Sequence, residues 1–294
     1  MDGVLVVDKP EGPTSHDVVA VARRALGEKR IGHTGTLDPM ATGVLPLACG
    51  RATRLVRFLT ASDKDYEATI RFGLTTSTYD ITGEETGRTG SEPSREALLA
   101  ALDALSGDYM QMPPAYSAKK VGGRRAYDFA RNDQEVTLTP VPVRVSGVDL
   151  KEFNGVQATV TLTSSAGFYV RSFANSLGER LGTGACLAGL RRTRSGDFGL
   201  EGAVSLDALD ADDTLAHWLI PMDELLPAVP SVRLTGEGLL RVAHGRQIEA
   251  SHLALPAPPD PPEWVRLLDT TGALVAMATR GTAPGSLHPS VVLI

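Results

Sequence analysis

Residues 32–45 read GHTGTLDPMATGVL, and the single acidic side chain in this stretch is Asp38. Pro39 favours an extended backbone at Asp38 and removes the next backbone N–H donor. The glycines on either side, Gly35 and Gly43, leave room for a bulky group to approach the backbone closely. A loop carboxylate of this kind can act as a nucleophile, as a general base or as the cap of a turn. The local pattern by itself favours the turn cap.

Length and composition describe an ordinary globular protein. The chain has 294 residues, and at about 100–200 residues per domain this length predicts two domains of unequal size. With 42% hydrophobic and 22% charged residues, the chain is not expected to be disordered. The N-terminal apolar stretch 4–7 meets Asp8 at once, which excludes a signal peptide, and no run approaches the roughly 18 residues of a membrane span. We therefore expect a soluble, reduced, cytoplasmic protein.

Charge is unevenly distributed along the chain. The net charge is −6, yet residues 115–200 carry 12 Lys and Arg against 7 Asp and Glu, whereas residues 201–294 carry 5 against 12. A polyanion responds to the local field more than to the total charge. The basic segment is therefore compatible with nucleic-acid binding, although a solvated charged face explains it equally simply.

The hydrophobic pattern predicts an α+β fold. Strict alternation over 66–72 indicates a half-buried strand with Tyr66 on the inward face. Ser15 and Ser94 are placed to cap helices, the first ending near Leu26. Further elements are expected at 4–7, 143–150 and 156–163 (strands), at 124–131 (a basic helix) and at 169–181 (a helix closed by Gly182). Strands interleaved with few helices suggest a mixed or antiparallel central sheet, followed by a small β-rich domain from residue 229 onward.

Motifs for metals and nucleotide cofactors are missing from the sequence. It contains no P-loop, no HExxH and no complete GxGxxG, and its six histidines are scattered. The two cysteines form no CxxC pair. Ser117 and Lys120 match the SxxK of penicillin-recognising enzymes, but neither SDN nor KTG accompanies them, so chance explains the match. We expect no cofactor and no metal.

Five blocks of sequence resemble the bacterial T-loop tRNA pseudouridine synthases of the TruB type. They occur in the family's order across residues 4–200, at 5–15, 32–45, 66–83, 111–131 and 167–192. The tail resembles, more weakly, the small PUA-type RNA-binding domain. The resemblance implies a pseudouridine synthase catalytic domain at 1–228 and a PUA-like domain at 229–294.

The family's reaction is an isomerisation that consumes no water, metal or redox cofactor. It cuts the N-glycosidic bond of a uridine, at position 55 in the T-loop of tRNA, turns the flipped base and rejoins it to C1′ through C5. The resemblance makes Asp38 the nucleophile, attacking either C6 of the base or C1′. It makes Arg171 the guanidinium that keeps this carboxylate ionised in a desolvated site. Without the resemblance, Arg171 is more simply interpreted as an arginine on a helix surface.

The same resemblance assigns the remaining site residues. Tyr66 is expected to lie flat against the flipped uracil, since extruded bases are held between flat and apolar side chains. Tyr169 and Leu190 complete the pocket wall, and His33 inserts where the base has left its stack. Lys9 and Pro10 form a supporting turn. The expected contacts to the RNA backbone are the basic residues Lys119, Lys120, Arg124, Arg125, Arg131, Arg191 and Arg192.

The chain departs from the family pattern in two places. Where the family often has Cys-Ser-Lys-Gly before its Tyr-x-Arg, this chain has Ser-Ser-Ala-Gly at 164–167, which removes one possible phosphate contact. The tail is acidic and carries a proline-rich loop at 256–262, so RNA contact by this domain is the weakest expectation.

Two other functions remain open alternatives. One is an RNA-binding or tRNA-folding factor whose catalysis is dispensable, against which the intact Asp38, Tyr66 and Arg171 argue. The other is a glycosidase, which needs a second acid paired with Asp38; no such acid stands out near it in sequence. The expected partner is the T-arm stem-loop of tRNA, with no membrane, no obligatory protein partner and a monomeric state.

Overall fold

The computed structural model describes residues 1–116, 120–121, 124–125, 138–211, 215–255 and 263–294. The strands in these ranges are β1 (Gly3–Lys9), β2 (Ile31–His33), β3 (Ala41–Cys49), β4 (Lys64–Phe72), β5 (Leu74–Thr76), β6 (Glu85–Arg88), β7 (Gly107–Gln111), β8 (Lys120–Val121), β9 (Arg124–Arg125), β10 (Val141–Phe153), β11 (Gln157–Ser164), β12 (Ala185–Ser195), β13 (Phe198–Gly199), β14 (Val204–Ser205), β15 (Leu219–Pro221), β16 (Ser231–Arg233), β17 (Val265–Leu268), β18 (Leu274–Arg280) and β19 (Leu287–Val292). The α-helices are α1 (Ser15–Leu26), α2 (Val56–Thr60), α3 (Arg95–Ala104), α4 (Val170–Leu181), α5 (Leu206–Ala211) and α6 (Gly236–Ala243).

A large mixed sheet organises residues 1–221. Its main path runs β14-β1-β3-β12-β4-β11-β10-β7, with β13, β15 and β2 paired alongside. The β1–β14 and β3–β12 pairs are parallel, whereas the other neighbours along this path are antiparallel. The α+β class with a mixed central sheet is therefore confirmed.

Most of the expected elements form close to their expected bounds. Strand β4 alternates between buried and more exposed positions with Tyr66 on the buried face, as the pattern predicts. Helix α3 is capped by Ser94, and helix α4 ends at Gly182, whose φ of 69° is the left-handed conformation that glycine tolerates. The first helix begins at Ser15, but its N-cap is Thr14. The expectation that Ser15 is the cap was wrong.

The described part of residues 124–131 does not form the basic helix that the sequence predicted. Arg124 and Arg125 belong to β9, which pairs with β8 in a short antiparallel hairpin. Residues 126–131 lie outside the described residues. Short basic runs occur in strands as well as in helices, and sequence spacing alone did not separate the two.

Apolar cores lie on both faces of the sheet. Alternate residues of β1 point to opposite sides: Leu5 and Val7 pack under α1 and α5, whereas Val4 and Val6 pack on the other side with residues of the tail. A further core joins β4 and β11 to α3 and α4. These cores fix the relative positions of β1, β3, β4 and β12, the strands that surround Asp38.

The tail forms a four-stranded sheet, β16-β17-β18-β19, with its own apolar core. It also shares a core with the large sheet, where Leu274, Met277 and Leu293 pack in the same cluster as Val4 and Val6. Polar contacts join the two parts as well: the Arg51 guanidinium donates to the Leu293 carbonyl at 2.8 Å. No helix within the described ranges is long and apolar enough to cross a membrane.

Candidate active site

Asp38 lies in the loop between β2 and β3, and a buried lysine supports this loop from below. Lys9 is 0% exposed, and its Nζ donates to the carbonyls of Pro10 at 2.8 Å, Pro39 at 3.2 Å and Ala41 at 2.7 Å. Burial lowers the pKa of Lys9 to about 8, while the nearby Asp38 charge acts in the opposite direction. Lys9 thus joins the end of β1 to the residues that directly follow Asp38.

Helix α1 holds the same loop from its other side. The Ser15 hydroxyl donates to the Leu37 carbonyl and accepts from the Leu37 N–H, each at 2.9 Å. Because this hydroxyl is occupied by the loop, the helix is capped by Thr14, which forms a reciprocal capping box with Asp17. The residue directly before Asp38 is therefore fixed by two buried hydrogen bonds, which the sequence did not predict.

Arg171 binds the Asp38 carboxylate with two nitrogens. Its Nε is 2.9 Å from Oδ2, and its Nη2 donates to Oδ1 at 3.3 Å. It also donates to the carbonyls of Thr78 at 3.0 Å and Tyr116 at 2.8 Å. The Arg171 side chain is 7% exposed, whereas that of Asp38 is 36% exposed. The guanidinium is thus rigidly held, and the carboxylate stays accessible to a substrate.

A second carboxylate, Asp80, lies against the same guanidinium. Its Oδ2 is 3.6 Å from Arg171 Nη1, and its side chain is 6% exposed. Its Oδ1 accepts hydrogen bonds from the Thr78 hydroxyl at 2.9 Å and from the Thr82 N–H at 3.0 Å. Asp80 is therefore a buried counter-charge for Arg171, and it does not line the cavity beside Asp38.

Asp80 belonged to a recognised block of sequence, but it was not predicted as a site residue. Asp80 and Asp38 are far apart in sequence, so their common contact with Arg171 could not be predicted. The threonines near Asp80 were the one indication in the sequence, because they suit a carboxylate that caps a turn. Since both oxygens of Asp80 are engaged by protein groups, it does not supply the open second acid that a glycosidase needs.

A cavity of about 220 Å³ opens beside Asp38 and Arg171. Tyr66, Tyr169 and Leu190 are all among its lining residues, as expected, and Tyr66 is 8% exposed. Flat and apolar walls next to a carboxyl group suit a planar base that has left its stack. The structure therefore brings together these three residues, Asp38 and Arg171.

Gln111 holds the backbone of Tyr169 in place. Its side-chain Nε2 donates to the Tyr169 carbonyl at 3.0 Å, and its Oε1 accepts from the Tyr169 N–H at 2.8 Å. Tyr169 is also the N-terminal cap residue of α4, so this pair of bonds sets where the helix that carries Arg171 begins. Gln111 is buried, and its position in sequence gave no sign of this role.

His33 does not line the cavity, although the adjacent Thr34 does. It is half-buried at the end of β2, with its ring edge-on to exposed His16 at a centroid distance of 5.4 Å. Its expected insertion near the flipped base stays a prediction.

The residues expected to contact the RNA backbone are not all available for this role. Arg192 is 1% exposed and is occupied by protein acceptors, so the prediction that it contacts phosphate was wrong. Arg191 is half-buried and pairs with Asp8 at 2.8 Å. Of the others, Lys120, Arg124 and Arg125 lie on the β8–β9 hairpin, and Lys119 and Arg131 lie outside the described residues.

In the described part of the chain, no three His, Cys, Asp or Glu side chains come together as a metal site. Burial raises the pKa of Cys49 to about 12 and that of Cys186 to about 11, so neither thiol is a ready nucleophile. Asp38 is the acid that faces the cavity.

Two family models match the chain. The "TruB family pseudouridylate synthase (N terminal domain)" matches residues 23–170, and the "tRNA pseudouridylate synthase B C-terminal domain" matches residues 171–227. Both matched segments contribute to the same sheet, since β12 from the second lies between β3 and β4 from the first.

Curated relatives and solved structures agree with these matches. The chain is 45% identical to tRNA pseudouridine synthase B of Solibacter usitatus over 100% of both proteins. It is 42% identical to that of Syntrophus aciditrophicus over 95% of this chain and 91% of the relative. A crystal structure of a Cbf5-Nop10-Gar1 complex contains a chain 27% identical, with a TM-score of 0.74, covering 99% of this chain and 85% of that one. An H/ACA RNP bound to a substrate RNA containing 2′-deoxyuridine has the same fold, at 24% identity and a TM-score of 0.72 over 99% of this chain and 85% of that one. The chain belongs to the TruB family of pseudouridylate synthases.

Proposed function

We propose that this protein isomerises a uridine in the T-loop of tRNA, at position 55, to pseudouridine, with Asp38 as the nucleophile. The observation that carries the proposal is the two-nitrogen contact of Arg171 with the Asp38 carboxylate at the edge of the cavity lined by Tyr66, Tyr169 and Leu190. The family match and the relatives named tRNA pseudouridine synthase B support the reaction and the class of RNA.

The electrostatics of the site suit a nucleophilic carboxylate. A base that covers Asp38 removes water from it, and desolvation disfavours its charged form. Arg171 counteracts this effect, because a guanidinium that is already held by the Thr78 and Tyr116 carbonyls cannot turn away. Asp80 lies against the other side of the same guanidinium and helps to fix its position. The carboxylate of Asp38 is thus held in a fixed orientation while the base is bound.

The reaction asks little else of the protein. The bond from N1 of uracil to C1′ breaks, a bond from C5 to C1′ forms, and the proton lost from C5 is balanced by one gained at N1. Neither water nor an oxidant is consumed. The enzyme must therefore hold the base while it turns, and tyrosine and leucine walls serve this purpose by excluding water and by packing on the ring.

The proposed partner is the T-arm stem-loop of tRNA, bound mainly through phosphate contacts from the β8–β9 hairpin and its neighbours. We propose further that the chain acts as a monomer in the cytoplasm without an obligatory protein partner. Size-exclusion chromatography with light scattering, at the concentration used for activity assays, tests the monomeric state. A dimer at that concentration, or a need for added cell extract, would contradict it.

The test of the function is incubation of the purified protein with an unmodified tRNA transcript, followed by mapping of pseudouridine at single-nucleotide resolution. We expect one product, at position 55. A product elsewhere in the tRNA would contradict the assignment of the T-loop, and the absence of any product would contradict the proposed reaction. A transcript with cytidine at position 55 is the matched control, because it keeps the shape of the arm and removes the reacting base.

A further inference from the structure

Arg192 is a buried cation beneath the catalytic loop. It lies in the central strand β12 and is 1% exposed, although it borders the cavity. Within the described residues, no carboxylate lies within 4 Å of it as an ion-pair partner. Burial lowers the pKa of Arg192, with the Tyr66 hydroxyl acting in the opposite direction. An apolar side chain of similar length would fill this place without the cost of desolvating a charge.

The guanidinium of Arg192 is occupied by three parts of the active site. Its Nε donates to the Val44 carbonyl at 2.7 Å, and its Nη2 donates to the Gly35 carbonyl at 3.1 Å. Its register partner on β4 is Tyr66, whose hydroxyl interacts electrostatically with the guanidinium. Gly35 precedes Asp38 by three residues and Val44 follows it by six. One side chain therefore joins both ends of the Asp38 loop to the tyrosine of the cavity.

The backbone of Arg192 is also fixed against β3. Its register partner there is Gly43, whose φ is +102°, and a Cβ at Gly43 would stand 2.1 Å from the Arg192 carbonyl oxygen. Only glycine allows this approach. The position of the guanidinium is thus set from the main chain as well as from its hydrogen bonds.

We propose that Arg192 is a positioning residue that fixes the spacing between the Asp38 carboxylate and the ring of Tyr66, and so controls the chemical step and not the binding of RNA. This inference rests on the proposed function. A displacement of about 1 Å in reacting groups can cost about 100-fold in rate. Loss of the three contacts frees the Asp38 loop and the tyrosine to move relative to one another.

The test measures single-turnover rates at saturating RNA, together with RNA affinity, for wild type, Arg192→Met and Arg192→Lys. We expect Arg192→Met to lower the single-turnover rate by about 100-fold and to leave the dissociation constant for RNA within about threefold. Arg192→Lys keeps the charge and part of the hydrogen bonding, so its rate should lie between the other two. A methionine variant within threefold of wild type, or a lysine variant no faster than methionine, would overturn the proposal.

A control variant of lowered stability distinguishes a positioning role of Arg192 from a merely structural one. Leu209→Ala removes a buried side chain from α5, outside the cavity, and should lower the melting temperature while keeping the single-turnover rate below that temperature. If Arg192→Met loses rate only as much as Leu209→Ala does, the proposal fails. If Arg192→Met does not fold, Arg192→Lys decides alone, and a lysine variant whose single-turnover rate is within about threefold of wild type overturns the proposal.

The link to Tyr66 has its own test. In a Tyr66→Phe background one of the three contacts is already absent, so Arg192→Met should cost less than it does in the wild-type background. Equal costs would contradict that link. An inactive wild-type protein would instead refute the proposed function, which keeps the two failures distinct.

Discussion

Asp38 and Arg171 are 133 residues apart in sequence, yet Arg171 Nη2 is 3.3 Å from Asp38 Oδ1, and Nε is 2.9 Å from Oδ2. The loop between β2 and β3 supplies the carboxylate, and the first turn of α4 supplies the guanidinium. The contact depends on the packing of α4 against β12 and on the position of β12 beside β3. The contact between Asp38 and Arg171 therefore forms only when these parts of the sheet are correctly assembled.

Asp38→Asn should abolish pseudouridine formation and leave tRNA binding within a few fold, because the change removes the proposed nucleophile and little contact area. Product mapping and filter binding on the same preparations measure the two effects. Asp108→Asn is the matched control, since Asp108 pairs with Arg144 on the surface and should keep wild-type activity. Pseudouridine made by pure Asp38→Asn protein would contradict the assigned nucleophile. If Asp38→Asn does not restore the wild-type phenotype to cells that lack the protein, catalysis is indispensable, and the RNA-folding alternative is excluded.

Arg171→Lys should lower the single-turnover rate by about 100-fold or more. A single ammonium cannot contact both oxygens of Asp38 and the carbonyls of Thr78 and Tyr116 together. The affinity for RNA should change by less than about tenfold, because this side chain is buried. Wild-type turnover by a folded Arg171→Lys protein would show that the two-nitrogen geometry is unimportant.

Activity should be unaffected by EDTA. The prediction follows from the chemistry, an isomerisation that needs no metal, and from the missing ligand motifs in the sequence. The substrate should be a minimal T-arm stem-loop, since magnesium can assist the folding of whole tRNA. A loss of turnover on chelation that one particular metal restores would reveal a metal site.

RNA binding should weaken steeply with salt despite the net charge of −6. For about four to six phosphate contacts, log K should fall with log salt at a slope of roughly −3 to −5. Replacing Arg124 and Arg125 together with Ala should make the slope shallower by about one to two units. The rate at which bound substrate is isomerised should change much less, because these residues are expected to contact the RNA backbone and not the reacting base. A slope near zero in wild type, or an unchanged slope in the double variant, would argue against these contacts.

Lys64 should make the stability of the protein depend on alkaline pH. It is 6% exposed, and burial lowers its pKa from 10.5 to about 8. Between pH 8 and 10.5 the unfolded chain therefore binds more protons at this site than the folded protein, so stability from this group rises with pH by up to about 1.4 kcal/mol per unit. Chemical unfolding at several pH values compares wild type with Lys64→Met, which should have a smaller rise. Parallel curves would contradict the lowered pKa.

The local sequence pattern was sufficient to predict much of the fold. The alternation in 66–72 placed Tyr66 on the buried face of β4, and the glycine at 182 ended α4 where expected. These features depend on neighbours in sequence, so they can be derived from spacing and from backbone preference. The cap of α1 was assigned one residue too late because Ser15 and Thr14 are both good caps, and only the contact of Ser15 with Leu37 decides between them.

The sequence by itself singled out Asp38, Arg171 and Tyr66 as candidate site residues, because they lie in motifs that resemble a family. Only the tertiary structure decided how they are held. Arg191 and Arg192 are adjacent and chemically identical in sequence, yet one pairs with Asp8 near the surface and the other is buried beneath the Asp38 loop. Asp80 likewise became a partner of Arg171 only when β12 and α4 were packed together. Burial and long-range partners depend on which strands become neighbours, and that choice is made by the cores on both faces of the sheet and not by local residue preference.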